Sequence, residues 1–563
     1  MRKSRRAFLK QLPAVVGGAG LAGPLALRDT TAKTAEAPVT DAPAPPPQAA
    51  GITAETLAAA QQVAGVSLPA AERELARTLV TRNLANIEAI RNVKLTADVE
   101  PAFSYRPPRP ARTTSVRTSA SSRAGGTVGP KPSPADLAFE PVTSLAERLR
   151  TRQITSSELT SLYLDRLKQH DPTLLCVVTL LEDVAREQAA AADRDIRAGK
   201  YRGPLHGVPY GIKDLFSAKG FPTTWGAKPY EKQVFDYDAT AIVRLREAGA
   251  VLLAKLATGE LAVGDLWFRG RTRNPWNPER GASGSSAGPA SATAAGLVGF
   301  AVGTETNGSI MSPASTCGVV GLRPTYGRVS RYGCMTLRWT LDKVGAIARS
   351  VGDVGLVLGA MHGPDGHDET VTDEPFAWDG RRDAKGMRIG YVEREFGGTT
   401  TSAPLLAAAL DVYRKAGATL IPIALPDSPA AAIYALLNAE AGAMFDELVR
   451  SGGINELADT SVNGRANQLR AARFIPAVDY VRAQRARTLL VADMNRLFDR
   501  VDVFLAPASS DAVTIANLTG HPGITLPCGF ADGVPVGLMV TGPLYRESTI
   551  LQAASCYEAA TDW

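Results

Sequence analysis

A chain of 563 residues exceeds one ordinary core, so one large or two smaller domains are expected. With 45% hydrophobic and 21% charged residues the composition is globular, which excludes a wholly disordered or fibrous protein. The net charge is +6, from 62 basic and 56 acidic side chains, and part of the excess sits near the N-terminus and around Arg106–Arg123. The remainder is nearly balanced, so the electrostatics give nucleic-acid binding little support. Cys176, Cys317, Cys334, Cys528 and Cys556 are scattered, odd in number and without C-x-x-C spacing, which argues against a disulfide framework or a zinc site.

At the N-terminus, Ser4-Arg5-Arg6-Ala7-Phe8-Leu9-Lys10 places two arginines before a mildly apolar, Gly-rich run from Leu12 to Leu27. That run is too short and too interrupted to span a membrane as a helix. The segment resembles a bacterial Tat signal, which implies export by the Tat machinery to the periplasm, with cleavage near Ala26 or Ala37. Residues 1–37 are read as signal and linker, and the Ala/Pro/Thr composition up to about Gly51 cannot bury a core. A small helical module is expected over 52–100, with Leu57, Val63, Leu75, Leu79, Leu84 and Ile87 forming buried stripes. A Pro/Arg/Ser-rich linker follows over 104–134, and the main domain runs over 135–563.

Thr155-Ser156-Ser157-Glu158 is a capping-box pattern opening a helix with Leu159, Leu162, Tyr163 and Leu167 on one face. Cys176–Leu181 reads as a strand, Asp238–Ala248 as a helix stopped by Gly249, and Val251–Ala254 as a buried strand. Met387–Val392, a helix over Ala403–Ala416, Thr419–Ile423 and Val503–Leu505 continue the alternation. This pattern predicts an α/β domain with helices on both faces of a mixed sheet. No repeat of 20 to 50 residues is visible.

The densest chemical signal lies between Gly281 and Gly327. Gly281-Ala282-Ser283-Gly284-Ser285-Ser286-Ala287-Gly288-Pro289 precedes an Ala-rich helix to Ala295 and an apolar run, Leu297–Val302. Gly303-Thr304-Glu305-Thr306-Asn307-Gly308-Ser309-Ile310 comes next. Small residues after a strand let successive backbone N–H groups converge into an anion nest. Beside a serine hydroxyl, such a nest suits acyl transfer, where a carbonyl oxygen gains negative charge. A serine nucleophile needs a base, yet none of His170, His206, His362, His367 and His521 has a telling context. Lys213, in Val208-Pro209-Tyr210-Gly211-Ile212-Lys213-Asp214, is the other candidate, because burial lowers a lysine's pKa. From the local sequence alone, a surface lysine or a salt bridge to Asp214 is the favoured reading of this residue.

Together these stretches resemble the amidase signature family over about Ala135 to Trp563. The likeness rests on Gly207–Asp214, Ser283–Gly288, Gly303–Ser309 with Ser312-Pro313-Ala314, Gly318–Thr325, Gly327–Ser330, Asn517–Pro522 and Gly533–Gly537, in that order. It implies the family's fold: a mixed, mostly parallel β-sheet covered by helices on both faces. It also implies hydrolysis of carboxylic amide C–N bonds by a Ser-Ser-Lys triad through an acyl-enzyme. Lys213 matches the catalytic lysine, Ser285 the bridging serine, usually on a cis peptide, and Ser309 the nucleophile. The N–H groups of Thr306, Asn307, Gly308 and Ser309 match the oxyanion hole. A small-molecule or peptide amide is the implied substrate, and no metal or organic cofactor is implied.

Three positions depart from the pattern. Asn307 replaces a frequent glycine, Pro289 a frequent serine, and Met311 a frequent arginine, which removes a charge near the site. The Glu-Thr-x-Gly-Ser-Ile run is nearer the peptide-amidase-like branch. Three other readings compete. One is the A-type subunit of a glutaminyl/asparaginyl-tRNA amidotransferase, sharing the triad but working with partner subunits. Another is a Ser-His-Asp hydrolase using Ser286 in Gly284-Ser285-Ser286-Ala287-Gly288, which requires a preceding strand. The last is a non-catalytic binding protein. Trp225, Trp267 and Phe268 are candidate pocket liners, with core packing the alternative.

Overall fold

The computed structural model describes residues 52–95, 102–103, 128–397 and 401–562. The arginine-pair segment, the Ala/Pro/Thr stretch to residue 51 and most of the 104–134 linker lie outside the described residues.

Among the described residues fifteen strands are formed. In chain order these are β1 Val177–Leu180, β2 Pro209–Lys213, β3 Val251–Leu256, β4 Leu266–Trp267, β5 Gly270–Arg271, β6 Arg273–Asn274, β7 Asn277–Gly281, β8 Phe300–Glu305 and β9 Val320–Arg323. They continue with β10 Lys343–Ala348, β11 Arg388–Val392, β12 Thr419–Ile423, β13 Val503–Pro507, β14 Gly523–Ala531 and β15 Val534–Thr541. Eleven build one sheet in the order β1-β3-β2-β8-β10-β9-β14-β15-β13-β11-β12, while β4–β5 and β6–β7 are short ribbons. The sheet is mixed. β3-β2-β8 and β13-β11-β12 are parallel trios, and the pairings between and beside them are antiparallel. The parallel neighbours β2–β3 and β11–β12 are joined by segments that contain a helix, and the antiparallel β14 and β15 by a tight hairpin.

Consecutive residues of β2, β3, β8, β9 and β10 are all buried, as expected when helices cover both faces. The helix Ser156–Leu174 opens with the expected capping box. The Thr155 hydroxyl accepts from the Glu158 N–H at 3.1 Å, and the Glu158 carboxylate accepts from the Thr155 N–H at 2.8 Å. Leu159, Tyr163 and Leu167 are buried on its inner face. Pro289 is the third residue of the helix Ala287–Ala294, where the backbone N–H has no intrahelical partner to lose.

Among the described residues before the main domain are two helices, Ala54–Val63 and Ala70–Arg91. Leu57, Leu79 and Ile87 are buried, but Val63 is 93% and Leu84 41% exposed, against expectation. The second helix packs on Ala430–Leu436, Arg465–Ala472 and Ala477–Leu497. Its buried line passes through Ala76, Leu79, Val80, Ile87 and Ile90, and Leu84 falls about a quarter turn to one side of it.

Candidate active site

Lys213 ends β2 and its side chain is wholly buried. Its Nζ lies 2.8 Å from Ser285 Oγ and 2.8 Å from Thr304 Oγ1. Burial strips the ammonium of water and pulls the Lys213 pKa from 10.5 down to about 7, although Asp342 and Glu305 oppose the shift. The competing salt bridge does not form. Adjacent residues of an extended segment point to opposite sides, and Asp214 instead pairs with Lys255 Nζ at 2.7 Å, both side chains fully buried.

Ser285 is 1% exposed and follows a cis peptide bond from Gly284. Gly284 packs against the carbonyl of Gly264 so closely that a Cβ would collide with it. The neighbouring Ser286 is not an elbow nucleophile. Its hydroxyl donates to the Thr304 carbonyl at 3.1 Å and accepts the Thr304 N–H at 3.3 Å. The preceding β7 belongs to a surface ribbon, not to the main sheet. Among the described residues no histidine hydrogen-bonds to Ser286 or Ser309: His521 Nδ1, for example, bonds to Thr519, and His206 Nδ1 accepts from the Arg202 N–H.

Ser309 lies in the turn between β8 and the helix Met311–Cys317. The Ser286 N–H donates to the Ser309 carbonyl at 3.0 Å, which fastens this turn to the serine-rich loop. Gly308 has φ +81°, and a Cβ there would sit 2.9 Å from Ser312 Oγ, so the turn needs glycine twice over. Among the described residues nothing accepts from the N–H groups of Asn307, Gly308 or Ser309. These are three of the four N–H groups that the family resemblance assigns to an oxyanion hole.

Two carboxylates hold this turn. Glu305 is fully buried; one oxygen accepts the N–H groups of Ile310 (2.7 Å) and Met311 (2.9 Å). Its other oxygen accepts from Arg323 Nη1 and Asn517 Nδ2, both at 2.8 Å. Burial would raise the Glu305 pKa, but the Arg323 charge and the bonds from Asn517 and Met311 outweigh it and hold it below the usual carboxylate value. Asp342 accepts the Thr306 hydroxyl at 2.6 Å and the N–H groups of Leu337 and Arg338 at 2.6 and 2.9 Å. Arg323 and Asn517 stand in stretches that carry the family likeness but had been given no role there, and Asp342 stands in none of them.

Ser309, Thr306, Asn307 and Gly284 open on a cavity of about 340 Å³. Its walls also include Ala262–Gly264, Leu337, Arg338, Tyr434, Asn438, Arg465 and Gln468, and, from the helix Ala70–Arg91, Leu79, Arg82, Asn83 and Asn86. That N-terminal contribution escaped the sequence reading. Its trace was polar residues at helical spacing inside a buried stripe, Leu79-Asn83-Asn86-Ile90. Leu261 and Ala262 (φ +45° and +64°) and Ser283 (φ +61°) take left-handed conformations at the cavity's edge, where strain tends to gather in functional sites. Trp225, Trp267 and Phe268 line no part of the cavity: Trp267 packs edge-on against Phe268, and Trp225 against Tyr230 and Phe445. Met311 is likewise a core residue, with the Thr525 hydroxyl donating to its sulfur at 3.1 Å. Among the described residues no His/Cys/Asp/Glu group could hold a metal, and all five cysteines are free.

A buried lysine of lowered pKa bonded to Ser285, with Ser309 on a turn whose backbone N–H groups are unbonded among the described residues, suits the class of serine-dependent acyl-transfer enzymes. Likeness to known proteins narrows that class. The Amidase family model matches residues 158–514. The A-type subunit of glutamyl-tRNA(Gln) amidotransferase from Roseiflexus sp. (strain RS-1) is 38% identical over 471 residues, covering 74% of this chain and 95% of that protein. The structure of the peptide amidase from Stenotrophomonas maltophilia superposes with a TM-score of 0.68 at 31% identity, over 75% of this chain and 96% of that one. A bacterial aryl acylamidase of the amidase signature family gives 0.67 at 25% identity, over 76% and 97%. The chain belongs to the amidase signature family and is an enzyme of the amide C–N hydrolase class.

Proposed function

We propose that the protein hydrolyses a carboxylic amide through an acyl-enzyme on Ser309, with Ser285 and Lys213 relaying protons. The observation that carries this reading is Lys213 itself, buried, 2.8 Å from Ser285 Oγ and with its pKa brought down to about 7. Neutral Nζ accepts the Ser285 proton while it donates to Thr304 Oγ1. Ser285 accepts the proton of Ser309, and Ser309 Oγ attacks the amide carbon. The N–H groups of Thr306, Asn307, Gly308 and Ser309 receive the negative charge on the carbonyl oxygen. Reversal of the relay protonates the departing amine. Water then attacks the ester, gives its proton to the relay and releases the acid.

The test uses the purified full chain with an aryl acetamide and a C-terminal peptide amide. Turnover of either one, lost in Ser309→Ala, supports the reading; two inactive amides together with no labelling by a serine-directed phosphonate overturn it.

A second reading is favoured by one observation, the 38% identity to an amidotransferase of the A type, which exceeds the 31% to the peptide amidase. Against it stand the Arg5-Arg6 segment and a cavity walled by the chain's own N-terminal helix. The first reading includes export through the Tat machinery to the periplasm. Residues 1–51 fused to a reporter are expected to carry it there, and replacement of Arg5 and Arg6 by lysine to block it. A reporter that stays in the cytoplasm revives the amidotransferase reading.

A further inference from the structure

Between β3 and β4, residues 259–265 form a tight loop that meets the serine-rich loop at three points. The Gly259 N–H donates to the Ser285 carbonyl at 3.2 Å, the Gly264 carbonyl packs on Gly284, and Asp265 Oδ2 accepts the Ser283 N–H at 3.1 Å. Ser285 therefore rests on this loop. The loop does not hold its own shape by sequence preference. Leu261 and Ala262 have φ +45° and +64°, and neither is a glycine. Such residues cost about 1–3 kcal/mol each and persist only where the surroundings fix them.

The hold comes from a distant part of the chain, as two reciprocal contacts. Glu260 reaches out of the loop, and its carboxylate accepts the N–H groups of Ala458 at 2.9 Å and Asp459 at 3.3 Å. Arg465 reaches in from the helix Arg465–Ala472 and donates to the Leu261 carbonyl at 3.1 Å and the Ala262 carbonyl at 3.3 Å. Gln468 Oε1, 2.8 Å from Arg465 Nη1, steadies the guanidinium. Glu260 is 1% and Arg465 3% exposed. Burial lifts the Glu260 pKa above the ordinary carboxylate value in spite of its N–H bonds. Buried charges are costly, and here both bind backbone groups of the facing segment, which fixes where the loop lies. The helix Arg465–Ala472 is fastened in turn to the helix Ala70–Arg91. Asn467 Nδ2 donates to the Leu75 carbonyl at 2.9 Å, and Arg470 pairs with Glu72 at 2.9 Å.

We propose that Glu260 and Arg465 are positioning residues for Ser285: they clasp the loop on which that serine rests, and so keep it between Lys213 and Ser309. A line of contacts then runs from the N-terminal helices to the proton relay. The clasp rests on the amidase reading above and adds to that site two residues that act through Ser285. Glu260 is not part of the cavity wall, so its effect reaches the chemistry through the loop. Arg465 does line the cavity, and for that reason its variant is read beside that of Glu260.

The test uses the purified full chain with an aryl acetamide. Glu260→Leu is expected to lower kcat about 10- to 100-fold with KM within about twofold, since a misplacement of about 1 Å in a catalytic group costs up to about 100-fold. Each kcat is divided by the fraction of chains that a serine-directed phosphonate labels at completion, which removes misfolded protein from the comparison. Arg465→Met should lower the corrected kcat likewise, and Glu260→Gln, which keeps one accepting oxygen, should retain part of it. In Ser285→Ala the proposed relay is already cut, so adding Glu260→Leu should slow phosphonate labelling of Ser309 no further. An unchanged corrected kcat in Glu260→Leu or Arg465→Met overturns the proposal. So does a loss of the same size with and without Ser285, which marks a merely structural role. Where Glu260→Leu does not fold, Glu260→Gln carries the same comparison. Failure of the amidase reading is distinguishable, since it shows as wild-type protein that turns over no amide and takes no phosphonate label on Ser309.

Discussion

Glu305→Gln tests how the nucleophile's turn is held, and the structure sets the size of the effect. Four donors converge on this buried carboxylate: the N–H groups of Ile310 and Met311, Arg323 Nη1 and Asn517 Nδ2. A carboxamide of the same shape has one accepting oxygen, so two donors must face its NH2 group. Each stranded donor costs about 1–3 kcal/mol, and loss of the partner charge for buried Arg323 brings the total to roughly 3–5 kcal/mol. Urea unfolding of both proteins at pH 7 reads that loss. Because Glu305 sits below its ordinary value when folded, its contribution is present above about pH 4.5 and fades as pH falls through the lowered value. The gap between wild type and variant should therefore narrow on acidification. Loosening Thr306–Ser309 also disturbs the N–H groups proposed to receive the oxyanion, where loss of one donor costs about 10²–10³ in kcat. A Glu305→Gln protein with unaltered unfolding midpoint and kcat would refute the idea that this carboxylate holds the turn.

Other outcomes follow from the same geometry. With Lys213 at about 7, kcat/KM should rise with pH and level off, at about a tenth of the plateau at pH 6 and about nine-tenths at pH 8; a flat profile from pH 6 to 8 contradicts the assignment. The same lysine is neutral when folded and charged when unfolded between about pH 7 and 10.5, so its contribution to stability grows across that window. Lys255→Met strands the buried Asp214 carboxylate and should cost roughly 3–5 kcal/mol. Lys343→Met removes a buried Nζ that has no hydrogen-bond partner among the described residues, and denaturation should show a change within about 1 kcal/mol or a gain. Asn86→Leu, on the cavity wall, should shift KM for amides several-fold, while Leu84→Ala on the exposed side of the same helix should change neither KM nor stability.

How much of this was legible depended on the range of the interactions. The capping box at Thr155–Glu158 and the buried strand at Val251 are local effects, and both stand in the structure where pattern placed them. Asp532-Gly533 was an equally local signal that went unread. With φ +51° and +78° it forms the two-residue turn of the β14–β15 hairpin. Lys213 could be named from motif order, but its burial and its freedom from Asp214 depend on Lys255, which a parallel strand brings alongside from a distant part of the chain. The cavity walls were least legible. Arg338, Arg465 and Asn86 come from separate elements, and only packing of the N-terminal helix on Ala430–Leu436 and Arg465–Ala472 gathers them. Leu84 was misplaced for the same reason: its helix turns a partly polar face inward, onto a cavity, and an apolar residue outward.

Acylation of Ser309, made possible by Lys213, is the step on which the proposed mechanism stands or falls. The most direct measurement is mass spectrometry of the full chain after reaction with a serine-directed phosphonate at several pH values. One adduct is expected, on the peptide bearing Ser309, formed faster as pH rises through about 7 and greatly slowed in Lys213→Met. An adduct on Ser286 or Ser285, or labelling of Ser309 that is indifferent to Lys213→Met, would contradict it.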